Sequence, residues 1–183
     1  MSLNSVSENQ PDIAQSRQQF LRFRLQPNLT AAIEIVGVAT HAELQVTELI
    51  DIPLDRVVPM PHLPAAVLGV YNWRGEILWI VDFGTLLGLN SGQSPQHYRS
   101  LQPTIVLSDV SSGGETMSIG LVVAEIEDIE WYETAQLQSL NPDSIHLELA
   151  TWVKGYWQSA TGEELLLFDS QAIFNRTELH ANI

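Results

Sequence analysis

Two aspartates stand at matching places in this chain. Asp82 follows the apolar run ILWIV, and Asp169 follows LLLF. Paired carboxylates can share one proton and activate water, as in aspartic peptidases. That chemistry needs a Thr or Ser and then a Gly after each Asp. Here the tripeptides are Asp82-Phe83-Gly84 and Asp169-Ser170-Gln171, so both aspartates read better as caps of the helical turn that follows. Asp82-Phe83-Gly84 also spells the kinase metal-binding triplet, but the glycine-rich loop, catalytic loop and strand lysine of a kinase are missing. The histidines, His41, His62, His97, His146 and His180, include no two at the three- or four-residue spacing of a helical metal pair. There is no cysteine, and no phosphate-binding loop or nucleophile elbow. The residues therefore predict no catalysis, no metal and no cofactor. An enzyme or small-ligand binder built on Asp82 and Asp169 is kept as the contrasting reading.

The elements that would position these residues are strands. In FLRFRL, Leu21, Phe23 and Leu25 share one face and Arg22 and Arg24 the other, the alternation of a half-buried strand. Before Phe20 the chain is polar and aperiodic, and residues 1–19 read as a disordered arm. A β-leaning stretch runs from Ala31 to Ile52. Prolines 53, 59, 61 and 64 exclude a helix after it. GVYNWRGEILWIVDF reads as strand, turn and strand, with Ile77 to Val81 buried on both faces. Residues 90–103 are the best linker. Strands resume at TIVLSDV and MSIGLVVAEI, and a short helix is expected over Thr134 to Leu140. Residues 177–183 form a tail.

The two halves resemble one another. Gly75, Glu76 and Asp82 return 87 residues later as Gly162, Glu163 and Asp169, and Leu78 and Ile80 as Leu165 and Leu167. Gly69 returns as Gly155, one residue out of step. This order predicts an all-β protein of two duplicated small barrels with short helical turns, the first mainly 20–89 and the second mainly 104–176.

Composition narrows the partners. Eight basic residues face 22 acidic ones for a net charge of -14 over 183 residues. With a single lysine there is no basic footprint for nucleic acid or anionic lipid, and no apolar run is long enough to span a membrane. The expected location is the cytoplasm and the expected partners are proteins. Five acids fall within residues 125–133, either as a charged strand edge that blocks pairing or as a docking face for a basic partner. Among five tryptophans, Trp79 reads as core. Trp73 sits at a turn beside Arg74, and Trp152 and Trp157, with Tyr156, occupy the matching region of the second half. Aromatics and arginine near turns are typical interface anchors.

VLGVYNWRGEILWIVDFGTLLGL resembles the signature of the CheW-like domain family, with Asn72, Arg74, Gly75 and Asp82 at its spacing. IGLVVAEIEDIEW and VKGYWQSATGEELLLFDSQAIF resemble its later segments, so the resemblance spans about residues 20–176. It implies a fold of two SH3-like five-stranded β-barrels on a shared apolar core. It implies a non-catalytic adaptor that couples a methyl-accepting chemoreceptor to a CheA-type histidine kinase. It places partner binding at Arg74 and Gly75, with Gly69, Asn72 and Trp73 around them. Val46 and Glu48 of QVTELI match a partner-facing segment, and Val122 and Ile126 line a groove between the barrels. Trp73 and Trp79 stand where the family commonly has aliphatic residues. The tryptophan-rich turn is similar to variants of phototaxis or type IV pilus motility systems, the alternative setting for the same adaptor role.

Overall fold

The computed structural model describes residues 17–35, 44–89, 100–110, 116–140, 149–159 and 162–177. Among these described residues, ten strands form two mixed sheets. The strands are β1 (Arg17–Gln26), β2 (Leu29–Glu34), β3 (Leu44–Ile52), β4 (Val67–Trp73), β5 (Glu76–Asp82), β6 (Gln102–Val110), β7 (Thr116–Val122), β8 (Glu125–Glu133), β9 (Val153–Gln158) and β10 (Glu164–Phe168). Two short helices follow β5 and β10: α1 (Phe83–Leu86) and α2 (Ser170–Arg176). One sheet, called A here, has the order β8-β1-β2-β10-β9; the other, B, has the order β3-β6-β7-β5-β4.

These orders correct the expectation of closed barrels. Each sheet is open: β8 and β9 are the edges of sheet A, and β3 and β4 those of sheet B. In place of a closing ladder, each sheet has, among the described residues, one isolated bridge to an edge, Gln138 to Tyr156 in A and Val58 to Val70 in B. The chain around Val58 carries Pro53, Pro59, Pro61 and Pro64, which have no N–H to continue a ladder. Nor do the sheets follow the halves of the chain. The orders superimpose when β1 is matched to β6, β2 to β7, β8 to β3, β9 to β4 and β10 to β5. Each sheet thus takes its two inner antiparallel strands from the opposite half. The exchange leaves a parallel pair in each sheet, β10 with β2 and β5 with β7.

The period-2 pattern explains where the cores lie. In β5, Trp79 and Val81 face a central core between the sheets, while Leu78 and Ile80 face a second cluster on the far side of sheet B. In β10, Leu166 and Phe168 face the centre, and Leu165 and Leu167 a third cluster on sheet A. The apolar run is therefore buried on both faces, except that Ile77 is exposed. Phe83 joins the two halves, with ring centroids 6.1 Å from Phe23 and 5.2 Å from Phe168. Asp82 and Asp169 are caps. Asp82 Oδ1 accepts from the Thr85 N–H at 2.6 Å, and Asp169 Oδ1 from Gln171 N–H at 3.0 Å. β1 begins at Arg17, three residues before the alternating pattern becomes apolar, and the helix expected after β8 is a single 3-10 turn, Thr134–Gln136. Residues 1–16, 90–99 and 178–183 of the arm, linker and tail lie outside the described residues.

Candidate partner-binding site

Trp73, Arg74, Gly75 and Glu76 make a two-residue hairpin turn. Trp73 pairs with Glu76 across the β4–β5 hairpin, leaving Arg74 and Gly75 as its two loop residues. Both have positive φ, 52° and 91°, as the twist of a two-residue hairpin demands. Glycine adopts that conformation freely, whereas arginine is held there against its preference. Asn72 helps hold it, because its Oδ1 accepts from the Gly75 N–H at 3.1 Å.

Tertiary structure adds Glu48 from β3. Its Oε1 accepts from Arg74 Nη1 at 2.6 Å, and its Oε2 from Trp73 Nε1 at 3.1 Å. The Arg74 guanidinium lies over the Trp73 ring, 4.8 Å from its centroid. The carboxylate thus fixes both the indole and the cation, yet the Arg74 side chain remains 69% exposed. Trp73 packs on the far-side cluster of sheet B. The result is a cation on a rigid platform, presented to solvent at one end of sheet B.

The other sequence-predicted residues are not part of this group. Gly69 lies on β4 beside a bulge, where a Cβ would fall 2.1 Å from the Val58 carbonyl oxygen. Its role is close backbone approach, and Gly155 does the same against Gln138 at 2.4 Å. Val122 is 4% exposed inside the far-side cluster of sheet B and offers no surface to a partner. Val46 and Ile126 turn out to be structural equivalents. Each is half-buried against the central core, and each immediately precedes the extra residue of a β-bulge, Val46 before Thr47 in β3 and Ile126 before Glu127 in β8.

Two features escaped the sequence. Leu49 and Ile129 occupy equivalent positions opposite Ile105 and Leu21 on the edge strands, and both are exposed. The acidic stretch 125–133 is the edge strand β8, but not all of it is a solvated guard. Glu127 takes ion pairs from both Arg22 and Arg24, and Glu130 lies 3.6 Å from Arg22. Alternation marked Arg22 and Arg24 as one face, but nothing in the spacing identified their partners a hundred residues away. Trp157 matches Tyr71, not Trp73, and packs edge-to-face on Phe20. Trp152 lies under the Arg176 guanidinium at 4.7 Å.

Comparison with known proteins agrees with this architecture. A family model described as "CheW-like domain" matches residues 19–178. A chemotaxis protein CheW of Rhizobium meliloti (strain 1021) is 39% identical over 71 residues, which are 39% of this chain and 40% of that protein. The match therefore spans about two-fifths of the relative's length. The crystal structure of the scaffolding protein TtCheW from Thermoanaerobacter tengcongensis superimposes with a TM-score of 0.61 at 15% identity, covering 83% of this chain and 88% of that one. With the family model covering nearly the whole chain and the same fold in a solved structure, this protein belongs to the CheW-like domain family.

Proposed function

We propose that this protein is a non-catalytic adaptor in chemotaxis-type signalling, which couples a chemoreceptor to a CheA-type histidine kinase. Family membership supports the class of function, and Asp82 and Asp169 support it too, since each caps the helix that follows it. The observation that carries the reading is the presentation of Arg74. Arginine and tryptophan are the commonest anchors of protein interfaces. Here Glu48 and Trp73 hold the guanidinium in place before any partner arrives, which lowers the rotamer entropy lost on binding. Glu48, Asn72, Trp73, Arg74 and Gly75 form the contact patch, and the half-buried Val46 and Ile126 immediately precede the bulges of the two edge strands.

Replacing Arg74 by Glu tests this. The substitution places two carboxylates side by side but disturbs only an exposed pair, worth about 0–1 kcal/mol, so Tm should shift by no more than a few degrees. Binding to the regulatory domain of a CheA-type kinase or to a receptor cytoplasmic fragment, measured by calorimetry, should weaken at least tenfold, about 1.4 kcal/mol. A folded variant that binds both with unchanged affinity would overturn the assignment of this patch.

A further inference from the structure

The duplication offers an internal standard for each side chain, and one place departs from it. In sheet B the space beside the β4–β5 hairpin is filled by the Trp73 indole, which packs, as Tyr71 does, against the cluster that holds Leu78 and Val106. The matching residues of sheet A follow from strand register. Tyr71 opposite Leu78 corresponds to Trp157 opposite Leu165, and Val106 opposite Gly120 corresponds to Arg22 opposite Ala32. Trp73, paired with Glu76, corresponds to Ser159, whose N–H donates to the Glu163 carbonyl. Serine thus stands where the indole would be, and a cavity of about 470 Å³ opens there, lined by Arg22, Tyr132, Gln138, Trp157, Ser159 and Glu163. That volume lies within the usual range for small-ligand sites, about 300–1,000 Å³.

The lining specifies a ligand. Trp157 and Tyr132 are stacked with centroids 4.9 Å apart and form an aromatic wall. Of the charged side chains, Arg22 and Glu163 line the cavity; behind that lining, the ion-pair network of Arg22 and Arg24 with Glu125, Glu127, Glu130 and Glu163 carries two more carboxylates than guanidiniums. Arg22 is engaged most closely by Glu127 at 2.6 Å, whereas Glu163 stands 3.7 Å from it with its side chain 56% exposed at the mouth. Thr30 Oγ1 donates to Glu163 Oε1 at 3.2 Å and orients it. Sheet B shows how such parts combine: a guanidinium over an indole, with a carboxylate accepting from the indole N–H. Sheet A has no indole at this place, but it offers a guanidinium and a carboxylate of its own, Arg22 and Glu163, at the register positions of Val106 and Glu76.

We infer that the sheet A cavity binds a small aromatic amine: a planar, indole-sized ring that takes the place of the missing Trp73 equivalent, with a cationic arm directed to Glu163. The ring would lie against Trp157 and the Arg22 guanidinium. The ammonium would meet Glu163 at the mouth, where the local charge excess favours a cation and disfavours an anion. This site is separate from the Arg74 patch and does not depend on the adaptor reading.

Tryptamine, indole and 3-indolepropionate, titrated into the full-length protein and followed by amide chemical shifts, separate the contributions of ring and charge. Tryptamine should bind about fivefold or more tightly than indole, and indole more tightly than the anion, with shifts centred on Tyr132, Trp157 and Glu163. Ser159→Trp should fill the cavity and remove tryptamine binding. Glu163→Gln, which leaves the cavity open, should reduce tryptamine to the affinity of indole. The inference is overturned by any of three results: no binding of tryptamine up to its solubility limit, equal binding of all three probes, or tryptamine shifts that persist unchanged in folded Ser159→Trp.

Discussion

The bulges of β3 and β8 are the same backbone device with different chemistry. In sheet B the extra residue is Thr47, whose hydroxyl lies 3.4 Å from the Val106 carbonyl and 3.2 Å from Ser108 Oγ, which in turn meets Ser118 Oγ at 2.8 Å. In sheet A the extra residue is Glu127, and the positions of Val106 and Ser108 are taken by Arg22 and Arg24, both bound to that carboxylate. A bulge bends an edge strand whatever its side chain, so the two sheets keep one shape. The side chain decides whether the far-side apolar cluster is flanked by hydroxyls, as in sheet B, or by an ion-pair network beside a cavity, as in sheet A. The filled end carries the platform for Arg74; the charged end carries Ser159 and stays open.

Three perturbations would break or sharpen this comparison. The largest effects should come where the sheets are alike. Gly69→Ala places a methyl 2.1 Å from the Val58 carbonyl at a φ of +142°, and Gly155→Ala places one 2.4 Å from Gln138 O with no positive φ. Overpacking costs about 1–3 kcal/mol and sometimes more. Urea denaturation should therefore show a loss of about 3 kcal/mol or more at Gly69 and a smaller loss at Gly155. Equal effects would mean that backbone strain at Gly69 contributes nothing.

Where the sheets differ, Glu127→Ala should cost more than Thr47→Ala. The first removes the closest carboxylate from two part-buried guanidiniums, leaving Arg22 with the more distant Glu130 and Glu163 and Arg24 with Glu125, and losing one partner of such a network costs about 2–3 kcal/mol at partial exposure. The second removes hydroxyl hydrogen bonds worth about 1 kcal/mol. If urea midpoints rank the two variants the other way, the Glu127 carboxylate is not what holds the β8 edge.

The smallest effect is a pH dependence confined to sheet A. Burial and a hydrogen bond donated to Glu130 push the Tyr132 hydroxyl up to about 12 from its ordinary 10.0. A folded pKa above the unfolded one adds stability that is fully present below about pH 10 and is lost as pH rises toward 12. The equivalent residue in sheet B is Ile52, which has nothing to titrate. The stability difference between wild type and Tyr132→Phe should shrink between pH 10 and 12. A difference that stays constant across that interval would place Tyr132 in solvent.

Much of this protein could be read along the chain. The strand faces of FLRFRL, the two-sided burial expected of Ile77 to Val81 and found for all but Ile77, the aspartate caps and the YNWRGE turn depend on residues within a few positions of one another. Side-chain alternation and backbone preference act at that range. The duplication was also visible, because equivalent turns need glycine at equivalent places. Only the tertiary structure decided which strands pair. It exchanged β1–β2 with β6–β7 between the halves and left both sheets open, where repeats in order had suggested two closed barrels. Pairing across a hundred residues is set by which apolar faces meet, and no local signal records that choice. For the same reason Glu48 joined Trp73 and Arg74, Val122 was withdrawn into a core, and Glu127 found two arginines. The turn residues of the candidate site could be named from their own neighbours, while its carboxylate and the opposite cavity arose only when distant strands came side by side.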